Sequence, residues 1–140
     1  MPHEHGHHIS QQFDLDLEEA RTLFLSMGGL VEQQVSDAIH ALLDTDAKLG
    51  QSVQQMDRQV NGFETQIDES LVRILARRQP AASDLRMVIA ISKANTDLER
   101  IGDEAVKVGR IAEDLSAEGE SPRGYTETRH FGNQVRLLLH

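Results

Sequence analysis

Cysteine is absent from this 140-residue chain, so no disulfide, thiolate zinc site or thiol nucleophile can be built from it. That usage fits a reducing compartment, and a cytoplasmic location is the expectation. Tryptophan is missing too, and the only aromatic residues are Phe13, Phe24, Phe63, Tyr125 and Phe131. Any core must therefore be aliphatic, which suits a helical bundle. No apolar run approaches the roughly 18 residues that a membrane span needs, and the N-terminus lacks the basic and apolar regions of a signal peptide. Neither a membrane span nor export by that route is expected. Basic residues are outnumbered by acidic ones, 14 against 23, for a formal net charge of −9. A surface of that sign repels a polyphosphate backbone, which argues against nucleic acid as a partner. It also disfavours free phosphate as a direct ligand and favours a hard cation such as magnesium, manganese or iron.

What is present is helical periodicity. A chain of this length can bury roughly two thirds of its extended surface in one domain. Residues 1–9 carry four histidines and no periodicity, and read as a disordered tail. From Phe13, apolar residues recur at 17, 20, 24, 27, 31, 35, 38 and 42, spacings of three and four that predict a helix over 10–43. Asp44, Thr45 and Asp46 break the pattern with side chains suited to capping, and a second stripe follows at 49, 53, 56, 60, 63, 67, 71 and 74. Pro80 turns the chain near 79–83, and a third stripe runs through 91, 94, 98, 101, 105, 108, 112 and 115. The fold class is all-α, an up-down-up three-helix bundle over 10–115. Gly119, Pro122 and Gly124 mark 116–124 as a linker. Phe131-Gly132-x-x-Val135-x-x-x-Leu139 then matches Met27-Gly28-x-x-Val31-x-x-x-Val35, an offset of 104 residues. Residues 125–140 thus read as the first part of the helix that opens a second repeat, with the chain stopping inside it.

Two Glu-x-x-x-Asp pairs lie on the predicted helices, Glu64 with Asp68 and Glu99 with Asp103. Residues four apart share a helix face, so each pair presents two carboxylates one turn apart, an arrangement that repels itself unless a cation neutralises it. A solvated face with Arg100 or Lys107 as counter-charge is the plainer reading of either pair. At about 100° per residue, Glu99 and Asp103 stand far from the third apolar stripe, so a surface site is expected rather than a buried dimetal core. A ferritin-like oxidase would need Glu-x-x-His pairs inside the bundle, whereas Glu4 with His7 lies in the tail and no such pair falls within 10–115. The histidines His3, His5, His7 and His8 could chelate a transition metal, with an incidental histidine-rich tail as the plainer reading, and His40, His130 and His140 form no constellation that could be named as catalytic. Gly28, Gly29 and Gly102 each cost about 1 kcal/mol in a helix interior. Close approach of another helix, or room beside Glu99 and Asp103 in the case of Gly102, would compensate. Arg73, Arg77, Arg78 and Arg86 gather about the second turn, either as favourable helix-end charge or as a docking patch for an acidic partner or lipid headgroup.

Ile9-Ser-Gln-Gln-Phe13, Met27-Gly-Gly-Leu-Val-Glu32, Arg77-Arg-Gln-Pro80 with Ser83-Asp-Leu-Arg86, and Asp97-Leu-Glu-Arg-Ile-Gly-Asp-Glu-Ala105 together resemble the PhoU family of phosphate-transport regulators. The last stretch is the most specific. The resemblance implies two similar three-helix repeats, of which residues 10–115 are the first, and no enzymatic activity. It implies a metal ion, iron, manganese, magnesium or zinc, held by Glu64, Asp68, Glu99 and Asp103, with no organic cofactor. It implies a cytoplasmic homodimer that reaches the inner face of the membrane through its partners, a phosphate ABC transporter and a membrane sensor histidine kinase, and keeps the phosphate-starvation response off. Arg77, Arg78 and Arg86 are the candidate docking residues. Two other classes stay in view. One is a metal-free helical adaptor, and the other a hydrolase or oxidase that uses the same carboxylates.

Overall fold

The computed structural model describes the backbone of residues 2–77 and 81–119, with side chains from residue 11 onward. It contains three helices, α1 (Pro2–Asp44), α2 (Ala47–Arg77) and α3 (Ala82–Glu118), and no strand among the described residues. Each helix packs against both others, so the up-down-up bundle expected from periodicity is the observed fold.

The first turn is tight because both helix ends are capped within three residues. The Asp46 N–H donates to Ala41 O at 2.8 Å and the Thr45 N–H to Leu42 O at 3.4 Å, which is a Schellman closure of α1. Such a closure needs a left-handed residue, and here it is Thr45, with φ of 51°. Asp46 then caps α2 by accepting from the Leu49 N–H at 3.1 Å. At the far end Gly119, with φ of 65°, closes α3 through its N–H to Leu115 O.

Two boundaries differ from the expected ones. Within the tail predicted over 1–9, residues 2–9 are instead the first turns of α1, which starts at Pro2. Proline is preorganised for a first helical position, and extending an existing helix adds one hydrogen bond per residue fixed. The helix expected to stop at 115 continues to Glu118, so the predicted linker begins only at its capping glycine. The remainder of that linker, the 125–140 segment and its repeat match lie outside the described residues, as does Arg78.

The stripes of α1 and α2 supply the core as read, with Phe13, Ala20, Met27, Val31 and Val35 in one buried cluster with Val53, Val60, Ile67, Leu71 and Ile74. The third helix is rotated from its predicted stripe. Its buried line is Val88, Ile91, Asn95, Gly102, Ala105, Gly109 and Ala112, while Leu98, Ile101 and Val108 are only partly buried. Small residues on that line let the helices approach closely. A β-carbon on Gly109 would stand 2.8 Å from Gly50 O, and one on Gly50 would overlap the Gly109 carbonyl. This rotation is what sets the position of the acidic residues beside the line.

Candidate metal-binding site

Rotating α3 toward Gly102 carries its neighbours Glu99 and Asp103 to the edge of the α2–α3 seam, where both are half-buried. The expectation of an outward-facing surface pair therefore needs correction. Opposite them on α2 stand Glu64 and Asp57, also half-buried and seven residues apart on one face. The four carboxylates feel one another. Burial raises Glu64 above the usual carboxylate range, helped by the negative charges of Asp68, Asp103 and Asp57. Glu99 is pushed up to about 7, first by burial, then by a side-chain hydrogen bond with Asp103 and by repulsion from Asp103, Glu64 and Asp57.

No counter-charge relieves this. Among the described residues no lysine, arginine or histidine pairs with any of the four. Lys107, a candidate for that role, donates to Glu104 at 2.9 Å instead. Among the described residues, the buried side-chain oxygens that meet no protein donor are Gln34 Oε1, Asp57 Oδ1, Glu64 Oε2 and Asn95 Oδ1. Every one of them is an acceptor, and each belongs to this seam or lies directly beneath it. Asn95 bridges to α2 by donating to Glu64 O at 3.2 Å and to Asp68 Oδ1 at 3.0 Å. Asp57 Oδ2 accepts from Asn61 Nδ2 at 3.3 Å, leaving its Oδ1 facing inward without a donor.

Asp68 differs from the other three expected ligands. It is exposed, and its carboxylate is engaged by Asn95. Asp57, which the Glu-x-x-x-Asp spacing does not pick out, is electrostatically coupled to both Glu64 and Glu99. Its seven-residue spacing to Glu64, two helical turns, was the available signal. The donor set is oxygen only and strongly negative, which fits a hard divalent cation. Among the described residues no three His, Cys, Asp or Glu side chains already converge on one point. The residues thus match a cation in chemistry, and closing around one takes side-chain movement.

The basic residues are used differently from a free patch. Arg77 Nη1 donates to Asp16 Oδ2 at 3.0 Å, and Asp16 is buried on α1, where it also accepts from Gln12 Nε2 at 3.0 Å. Arg73 donates to Ser70 Oγ at 3.0 Å and lies 3.7 Å from Glu19. Both arginines tie α2 to α1, so Arg77 is not the unengaged charge at a solvated helix end that its position implies. Arg86 is exposed. Flanking the same turn are the exposed apolar side chains Val72 and Leu75 on α2 and Leu85, Met87 and Ile89 on α3.

A family model described as the PhoU domain matches residues 24–112. The chain is 63% identical over 133 residues to the phosphate-specific transport system accessory protein PhoU homolog of Pseudomonas putida, covering 95% of this chain and 52% of that protein. It is 50% identical over 133 residues to the phosphate-specific transport system accessory protein PhoU of Escherichia coli, covering 95% of this chain and 55% of that protein. The chain therefore spans about half the length of these curated relatives. A crystal structure of PhoU from Pseudomonas aeruginosa superposes with a TM-score of 0.86 at 60% identity, covering 91% of this chain and 61% of that one.

Proposed function

The chain belongs to the PhoU family, and on that premise we propose that it is a regulatory part of a phosphate-uptake system that works by docking and not by catalysis. In this reading it restrains the phosphate-starvation response when phosphate is plentiful and tempers high-affinity uptake. Its partners are the phosphate ABC transporter and a membrane sensor histidine kinase, which it meets at the inner face of the membrane, as a homodimer in the cytoplasm. No described helix is long and apolar enough to cross a membrane, so contact with the bilayer would run through those partners.

The observation that carries the reading is the cluster of Asp57, Glu64, Glu99 and Asp103, half-buried acids without a basic partner within the matched domain. We assign it a divalent cation, held by Glu64, Glu99 and Asp103 with Asp57 added and Asp68 at its margin. The exposed side chains Val72, Leu75, Leu85, Met87 and Ile89, with Arg86, supply an apolar and basic surface for a partner protein about the second turn. A metal-free adaptor is the alternative, favoured by the carboxylates not converging on one point as they stand.

The regulatory reading is tested by deleting the full-length gene. Cells lacking it are expected to express phosphate-starvation genes in phosphate-rich medium and to accumulate phosphate to excess. Full repression in the deletion strain would defeat the proposal. Metal analysis of protein purified without chelators separates the cation-bound regulator from the metal-free adaptor.

A further inference from the structure

Gln34 is a fully buried polar residue of α1, at 0% exposure. Its amide orientation is set from one side, where Nε2 donates to Val53 O on α2 at 3.2 Å. Oε1 consequently points the other way, toward α3. There it meets Gly102: a β-carbon at that position would lie 3.0 Å from Gln34 Oε1, 3.5 Å from Val60 Cγ1 and 3.7 Å from Asp57 Oδ1. Two oxygens from two helices thus border the same small space beside a glycine of the third. Both are buried, and neither meets a protein donor.

Facing acceptors are unfavourable in a low-dielectric interior unless a donor or a cation lies between them. Flipping the Gln34 amide does not solve the conflict, because it would set Oε1 against Val53 O and leave that contact with two acceptors instead. A water molecule could bridge the pair. The surroundings favour positive charge more strongly than a neutral bridge, since Glu64, Glu99 and Asp103 line the outer side of the same seam with no base to offset them.

We infer that the space beside Gly102 is the inner end of the cation site, where Gln34 Oε1 and Asp57 Oδ1 ligate a hard divalent cation and draw α1 into its binding. This rests on the cation reading above and deepens it. A cation bridging only the carboxylates would pin α2 to α3. One that also takes Gln34 links all three helices, so its loss is felt by α1. Gly102 is required because any β-carbon there would occupy the space.

The test uses the full chain, stripped with EDTA and titrated with Mn²⁺. The wild type is expected to gain thermal stability on Mn²⁺ addition. In Gln34→Leu and Gly102→Ala, Mn²⁺ affinity should fall at least tenfold, and more than half of the thermal gain should be lost. Crystals soaked in Mn²⁺ should show an anomalous peak within about 2.0–2.6 Å of both Gln34 Oε1 and Asp57 Oδ1, a readout that stands even if a variant fails to fold. Undiminished Mn²⁺ response in both variants overturns the inference and leaves the carboxylate site intact, as does a peak beside Gly102 without anomalous signal. A wild type with no Mn²⁺ response removes the cation reading and this inference together.

Discussion

The carbonyl oxygen of Gly109 occupies the place that a β-carbon on Gly50 would need. Because the clash is with backbone on another helix, rotamer adjustment cannot relieve it, and α2 and α3 must move apart. Gly50→Ala and Gly109→Ala should each destabilise the bundle by about 2 kcal/mol, overpacking outweighing the roughly 1 kcal/mol gained in helix propensity. At Gly29 and Gly62 a β-carbon would meet nothing within 4 Å. Alanine there should instead stabilise by about 1 kcal/mol. Urea denaturation of the four variants checks both signs.

Thr45 holds a left-handed conformation that β-branched residues adopt at a cost of about 1–2 kcal/mol, and it does so to close α1. Thr45→Gly should raise stability by about 1 kcal/mol. Helix content by circular dichroism should stay unchanged, and a loss of stability would mean that the Thr45 side chain contributes more than the strain costs.

The Arg77–Asp16 pair joins the C-terminal turn of α2 to α1, with Asp16 buried. Arg77→Met should therefore cost about 2 kcal/mol, in the range for a hydrogen bond to a charged group. Arg86→Met, at an exposed position, should stay within about 0.5 kcal/mol. Chemical denaturation distinguishes the two, and a functional defect in an Arg77 variant has to be corrected for lost stability before it is ascribed to docking.

Glu99 titrates near 7 in the folded chain, above the usual carboxylate value of 4.5. The folded state then binds more protons than the unfolded state between those values, so the contribution of this group is complete below about 4.5 and is lost as pH rises through about 7. Glu64 is shifted in the same direction. In EDTA, Glu99→Gln should melt higher than the wild type, with the gap widening as pH rises from about 5 to about 8. Melting curves recorded across that range test this, and a gap independent of pH would contradict it.

Large aliphatic residues announce their own burial, and for that reason the helices, the cores of α1 and α2, the capping by Asp46 and the Glu-x-x-x-Asp pairs were legible in the sequence. So were the segments that resemble the family to which the chain belongs. The face of α3 was not, because Asn95, Gly102 and Gly109 carry no hydrophobic signal even though they form its most closely approached line. Reading Leu98, Ile101 and Val108 as the inner face turned Glu99 and Asp103 outward on paper, whereas close packing at the glycines draws them into the seam. Asp57, Gln34 and the Asp16–Arg77 pair depend on residues brought together from different helices, with Gln34 19 positions from its hydrogen-bond partner Val53 and Asp16 61 from Arg77. Sequence by itself determined which segments are helical and which carboxylates could share a face, since both are properties of one turn of helix. Only the tertiary structure decided which of those carboxylates face one another and which arginine is already engaged, because those outcomes follow from how closely and at what rotation three helices pack.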